Sequence, residues 1–465
     1  MDGSVSIDIK GSSSHRSNKL LNTIMDEETT DLHSGSQKPK IQLVQLFLRK
    51  VETNKNSFDP KVVSIGPCHH GKPELEPLER LKIPMVREYV KQRKVDIDKL
   101  YKEVVKVASD ARKCYAEGLT EKFNDEDFTN MMFLDGCFTL HYICSIVEGK
   151  NEEELNKIQK IALVRRDLLL IENQLPFLVL RVLMEASGIA QGEEMITDFI
   201  KRISEEPPKE VGRMEQIKNF IWQQAVGSKS DQKVQMQDRS AKDDDEPVHL
   251  LELVRRHFID LEAFGVGCAI SSGWYSRRSA KDFKSDRIVC KPSNTYRFTD
   301  ITFKSKWCYG ILRLPKMIID DTTKSTLLNL AAYEACPDNT MDQGVTSYIC
   351  FMDSIIDQDE DVKELQSMGI LVNYLGSDSQ VADLFNDIST ELAPSPRAYQ
   401  AVKRGIENHH SSSLKGWIAE CHHTHLRSPW TCIAVVAAIL ALGLSISQTV
   451  LAAIQTNLTA HPPKD

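Results

Sequence analysis

The residues best equipped for chemistry gather at a few places along the 465-residue chain. Cys68, His69 and His70 set a thiol beside two imidazoles, the groups from which a thiolate nucleophile and its base are made. Side chains of adjacent residues usually diverge, so the favoured reading is an ordered loop whose imidazoles hydrogen-bond to backbone or carboxylates. Cys421, His422, His423 and His425 combine ligand types that suit zinc or copper. With no matching set elsewhere, such a site would be local or shared between chains, and a polar collar is favoured. Glu172, Asn173 and Gln174 interrupt an apolar run just before Leu175, Pro176 and Phe177. Pro176 removes a helical hydrogen bond, and nearby amide side chains can take up the freed groups. A helix-break network is therefore favoured over a catalytic carboxylate. Gly265-Val266-Gly267 opens like a dinucleotide fingerprint, but Ile270 stands where its third glycine is required. No phosphate-binding loop, zincin helix, nucleophile elbow or kinase signature is present.

Helices must position most of these residues. Apolar spacing predicts a first helix over Ile41 to Val51, and helical stretches over Leu78 to Ala116, Asp125 to Val147 and Ile158 to Met184, the last interrupted at Pro176. Val62 to Pro77, with its G-P and K-P breakers, reads as a structured loop. Residues 228–247 turn polar and end in the run Asp243 to Glu246, an exposed acidic loop. Val248 to Leu261 resumes as helix, and 271–293 is a second polar stretch. The period then becomes alternating, which predicts a β-hairpin at about 297–314, from Arg297 to Lys304 and Tyr309 to Leu314. Helices return at Lys324 to Glu334, Gly344 to Ile356, Asp359 to Met368 and Asp378 to Glu391. The expected class is mainly α (α+β): a large helical soluble domain with a small β-hairpin and one C-terminal transmembrane helix.

That last element is the 24-residue uncharged run Thr431 to Ile454. As a helix it spans about 36 Å, enough for a hydrocarbon core of about 30 Å. Trp430 at its entry favours the interface, and Lys415, Arg427 and three histidines precede it while Lys464 alone follows. The positive-inside rule places the large region in the cytosol. Small residues four apart (Ala437, Ala441, Ser445, Thr449, Ala453), with Gln448 beside them, form a face on which two such helices can meet as a homodimer.

Composition sets the remaining limits. A net charge of -8 with no basic stripe argues against nucleic acid. Eleven scattered cysteines without a C-x-x-C pair suit reduced thiols in a cytosolic compartment better than a disulfide framework. Met1 to Lys40 is a polar tail without the apolar core of a signal peptide. The expected organisation is a disordered tail over 1–40, a helical domain over 41–400, a juxtamembrane segment over 401–428, the membrane helix over 429–454 and a short tail over 455–465.

Eight stretches occur in an order that resembles the plant domain-of-unknown-function 247 family. They are S-I-G-P-C-H-H-G-K-P-E-L-E-P-L-E from Ser64, M-M-F-L-D-G-C-F from Met131, R-D-L-L-L-I-E-N-Q-L-P-F from Arg166, H-L-L-E-L-V-R-R from His249, I-D-D-T-T from Ile319, T-S-Y-I-C-F-M-D from Thr346, L-G-S-D-S-Q-V-A-D-L-F-N from Leu375, and S-P-W before the anchor. The resemblance covers about Ile41 to Ile454. It implies a membrane-anchored plant protein without catalytic activity or cofactor, acting in recognition or scaffolding through an unidentified protein partner, and similar to grass members implicated in self-incompatibility. The membrane compartment stays open between plasma membrane and endoplasmic reticulum. The rival expectation is an enzyme or metal protein built on His69, His70, Asp135 and Glu172. Two departures stand out: Cys68 replaces the family's usual Tyr, and Ser279 to Arg287 replaces its A-T-E-L-x-x-A-G-V segment.

Overall fold

The computed structural model describes residues 41–149, 161–189, 191–204, 246–260, 278–306, 309–337, 343–411 and 429–460, and it is about 60% helical. The polar tail, most of the 228–247 loop and the Cys421 to His425 cluster lie outside the described residues.

The chain enters as a strap rather than a helix. Ile41 bridges to Tyr115 with hydrogen bonds to both flanking residues, and only α1 (Leu46–Arg49) coils. The apolar spacing that predicts a long first helix holds as burial of Ile41, Val44 and Leu48, met by an extended chain with one helical turn. The expected single helical stretch beyond Leu78 is two helices, α2 (Glu76–Arg93) and α3 (Ile97–Lys113), separated by Lys94 at φ 53°. Helix α4 (Asp125–Val147) starts on an Asn124 cap, and α2 and α3 pack on it. It is long and apolar enough to cross a membrane by length and composition, yet 72% of its apolar window is buried in the body. Gly136 lets it approach closely: a Cβ there would stand 2.5 Å from Leu183 Cδ1. Helices α5 (Ile161–Leu168) and α6 (Phe177–Ala186) flank the Pro176 break, and α7 (Gly192–Ser204), absent from the sequence reading, packs on α4 and α6.

The second half begins with α8 (Leu250–Phe258), capped by His249, and the short α9 (Ala280–Ser285). Strand β1 (Ile288–Pro292) follows inside the stretch read as polar loop. It pairs in parallel with β3 (Gly310–Leu314), which also pairs antiparallel with β2 (Thr302–Ser305). The expected hairpin is thus present but shorter, and it is two strands of a three-stranded sheet. A second sheet joins β4 (Met317–Ile319) in parallel to β5 (Leu371–Asn373), and neither strand was expected. Between and after them run α10 (Thr323–Glu334), α11 (Gly344–Ile355), α12 (Asp359–Ser367) and α13 (Asp378–Ile388), at or near their expected bounds. Phe298 stacks between Phe258 and Tyr348, with centroids 4.4 and 4.0 Å away.

Helix α14 (Gln400–His410) lies in the segment expected to be juxtamembrane, but it packs on β2 and belongs to the body. The last element, α15 (Pro429–Ala460), is one continuous helix of 32 residues. Leu440, Leu442, Leu444, Ile446, Val450 and Leu451 on it are exposed, as are Ala437, Ala441, Ser445 and Gln448.

Candidate functional site

The loop that carries Cys68 and His69 runs buried through the first half without joining a sheet. Its backbone N–H groups therefore need other acceptors, and side chains supply them one after another. Lys61, Val62 and Val63 donate to the Asp167 carboxylate at 2.7–3.1 Å, Ser64 to Glu79 at 3.3 Å, Ile65 to Asn173 Oδ1 at 2.7 Å and Gly66 to Asp135 Oδ2 at 2.8 Å. Six consecutive N–H groups are held by side chains alone. Gly66 is required there, at φ 72° with a would-be Cβ only 2.7 Å from the Gln174 carbonyl.

The acceptors are themselves held. Lys82, fully buried, donates to Asp135 and to the Ser64 carbonyl at 2.6 Å each, and pairs with Glu79 at 2.7 Å. Asn173 Nδ2 donates back to the Val63 and Asp167 carbonyls. Gln174 Nε2 takes the Leu168 and Leu170 carbonyls freed at the end of α5, and its Oε1 accepts from Leu251 at the start of α8. Burial pushes Asp135 and Asp167 above the usual carboxylate range, against the pull of Lys82 and of the loop N–H groups respectively. These carboxylates are loop holders by geometry.

One cluster faces outward from this frame. Glu172 Oε1 accepts from the Val44 N–H at 2.8 Å, and Oε2 meets Arg49 at 2.7 Å and His69 Nε2 at 3.3 Å. Arg49 also reaches Asp59 at 3.0 Å, and Lys72 stands 3.6 Å from the other oxygen of Asp59. Burial raises the Glu172 carboxyl, but His69, the Val44 N–H and Arg49 outweigh it and leave the group below the usual range. One ligand-type atom from each of Asp59, His69 and Glu172 lies within 4.8 Å of the others, the one such grouping among the described residues. At Cys68 burial first, then the Glu172 charge, pushes the thiol up to about 12, which keeps it protonated at neutral pH.

Of the residues singled out from sequence, the structure brings His69 and Glu172 together. His70 is exposed and lies edge-on to Phe123 with centroids 5.6 Å apart, and Asp135 belongs to the Lys82 pair. Of the four residues named for that rival, only His69 and Glu172 meet, at 3.3 Å. Asn173 and Gln174 serve the helix break. Arg49, Asp59, Lys82 and Asp167 escaped notice. For Asp167 a signal existed, since it lies in the quoted Arg166 motif, but the other three read as ordinary surface charges.

Residues 41–444 match the family model described as DUF247, plant protein of unknown function. The chain is 26% identical over 430 residues to UPF0481 protein At3g47200 of Arabidopsis thaliana, covering 86% of this chain and 84% of that one. It is 24% identical over 468 residues to Putative UPF0481 protein At3g02645 of the same plant, covering 84% and 86%. No solved structure matches.

Proposed function

Since the chain belongs to the DUF247 family of plant proteins of unknown function, we propose that it is a membrane-anchored recognition or scaffolding protein whose folded region faces the cytosol. The observation that carries this reading is α15. Its 32 residues reach about 48 Å, and its long aliphatic side chains stand clear of the body. Seven exposed Leu, Ile and Val side chains, Ile433 among them, would forfeit on the order of 10 kcal/mol of transfer free energy if left in water. A bilayer recovers it. Ser447 and Thr449 donate to the carbonyls of Gly443 and Ser445 four residues back, so their hydroxyls bring no unpaired donor into lipid. Recognition rather than turnover is supported by Asp135, Asp167 and Lys82, which are occupied in holding backbone.

Sealed vesicles with the cytosolic face outward test this. The expected result is a chain that resists alkaline extraction while added protease digests the folded region. Release by alkali would remove the anchor. Survival of the folded region until detergent is added would reverse the orientation. Proximity labelling from the same membranes tests recognition: a labelling pattern unchanged when residues 41–411 are deleted would remove that part.

A further inference from the structure

His69 is 4% exposed, and among the described residues neither of its ring nitrogens has a hydrogen-bond partner. A buried polar atom left so costs about 1–3 kcal/mol, and native structures seldom keep one without a use. His249, equally buried, at least accepts the Glu252 N–H at Nδ1. Nε2 of His69 stands 3.3 Å from Glu172 Oε2, close enough for an ion pair but out of line for a hydrogen bond. That separation has another meaning. Two ligands bound to one tetrahedral ion at about 2.0–2.1 Å lie about 3.3–3.4 Å apart.

We propose that Asp59, His69 and Glu172 form a binding site for a divalent transition cation of the zinc class, with Arg49 as a built-in cation that yields its place when the metal enters. Arg49 bridges the two carboxylates at 3.0 and 2.7 Å, where the ion would sit between them. Its side chain is 29% exposed and that of Asp59 42%, so the guanidinium can swing into water and the site opens to solvent on that side. Glu172 keeps its Val44 N–H contact through Oε1 while Oε2 turns to the metal, which fixes the ligand's orientation. Asp59 has to close part of the 4.8 Å spread, and its partial exposure leaves it free to do so.

One imidazole and two carboxylates leave coordination positions for water, the make-up of an open site rather than a closed structural one. The set offers only oxygen and imidazole nitrogen and no sulfur, so it favours a zinc-class ion over copper(I). The two carboxylates balance a divalent ion as they balance Arg49 now with Lys72 beside them. The site is independent of the membrane anchor, and neither reading fails with the other.

The test uses the full chain in detergent micelles, stripped by a chelator and then titrated with Zn2+ by calorimetry and with Co2+ by visible absorption. His422→Asn, His423→Asn and His425→Asn are introduced throughout, so that those imidazoles cannot supply the signal. One ion per chain is expected. His69→Gln should weaken it roughly 100-fold or more, and Asp59→Asn, at a half-exposed position that leaves the fold intact, at least 10-fold. Arg49→Ala should tighten binding about 10-fold, because it removes the competing cation, whereas it would leave a chance surface site unmoved. Absence of saturable one-to-one binding, or binding indifferent to both His69→Gln and Asp59→Asn, overturns the site. Binding that Arg49→Ala weakens or leaves unchanged overturns the exchange.

Discussion

At His249 burial works against charge, and this makes one residue a measurable pH sensor of stability. The ring is fully buried, caps α8 through Nδ1 and lies edge-on to Tyr333. Burial lowers its pKa from 6.5 to about 4, with Glu252 pulling weakly the other way. The unfolded chain therefore takes up a proton near pH 6.5 that the folded chain refuses until about pH 4. Stability from this group is complete above that window and is lost as pH falls through it, by roughly 3 kcal/mol in all. His249→Asn keeps a cap acceptor and should flatten the slope between pH 7 and 5 in denaturant titrations. An unchanged slope would show that another group titrates. Asp135 and Asp167, whose carboxyls are raised, bind protons more tightly when folded and oppose the loss at lower pH. Legibility at this scale divides by context. Glu172, Asn173 and Gln174 stood out as polar residues within an apolar run. Arg49 and Lys82 did not, because Glu172 and Asp135, the buried carboxylates they meet, lie 123 and 53 residues away.

The contact between α4 and α6 shows what an element requires beyond periodicity. A glycine inside a 23-residue helix costs about 1 kcal/mol against alanine. Gly136 is nevertheless the better residue, because Leu183 and Val179 of α6 occupy the space a Cβ would take. Gly136→Ala should destabilise by about 1–3 kcal/mol in spite of its higher helix propensity. Adding Leu183→Ala should recover part of that loss, so the double variant is less destabilised than the sum of the singles. Strict additivity in the denaturation midpoints would exclude the clash. Long helices such as α4 were legible because their apolar content and caps are local. Strand β1 was not, since five residues say little and its partner β3 begins 22 positions later in register. Helix α14 offers only Val402 and Ile406 as buried aliphatic residues, too few for a period. In the strap, three of the four spaced apolar residues are buried and Val51 only half so, on a backbone that is extended, because an extended chain can bury the same three.

On the scale of the whole molecule the two halves form one body. Ser325 and Asn329 of α10 donate to the Ser57 carbonyl, Arg165 pairs with Asp320, and Phe177 donates to the Val248 carbonyl. A protease site inserted between residues 228 and 247 should, once cut, leave fragments that co-elute and melt in a single transition; separation on a sizing column would overturn this. Which groups close the two halves is not legible in the sequence, since hydrogen bonds between distant residues leave no periodic trace. These distances also set a timetable. Asn54 donates to the Asp387 carbonyl, 333 residues further on. At synthesis rates of about 5–20 residues per second, its partner arrives roughly 15–70 s later. The Ser57 carbonyl waits almost as long, since its donors on Ser325 and Asn329 lie 268 and 272 residues ahead. The body can therefore close only after Asp387 has been made, and the first half must wait for most of the chain.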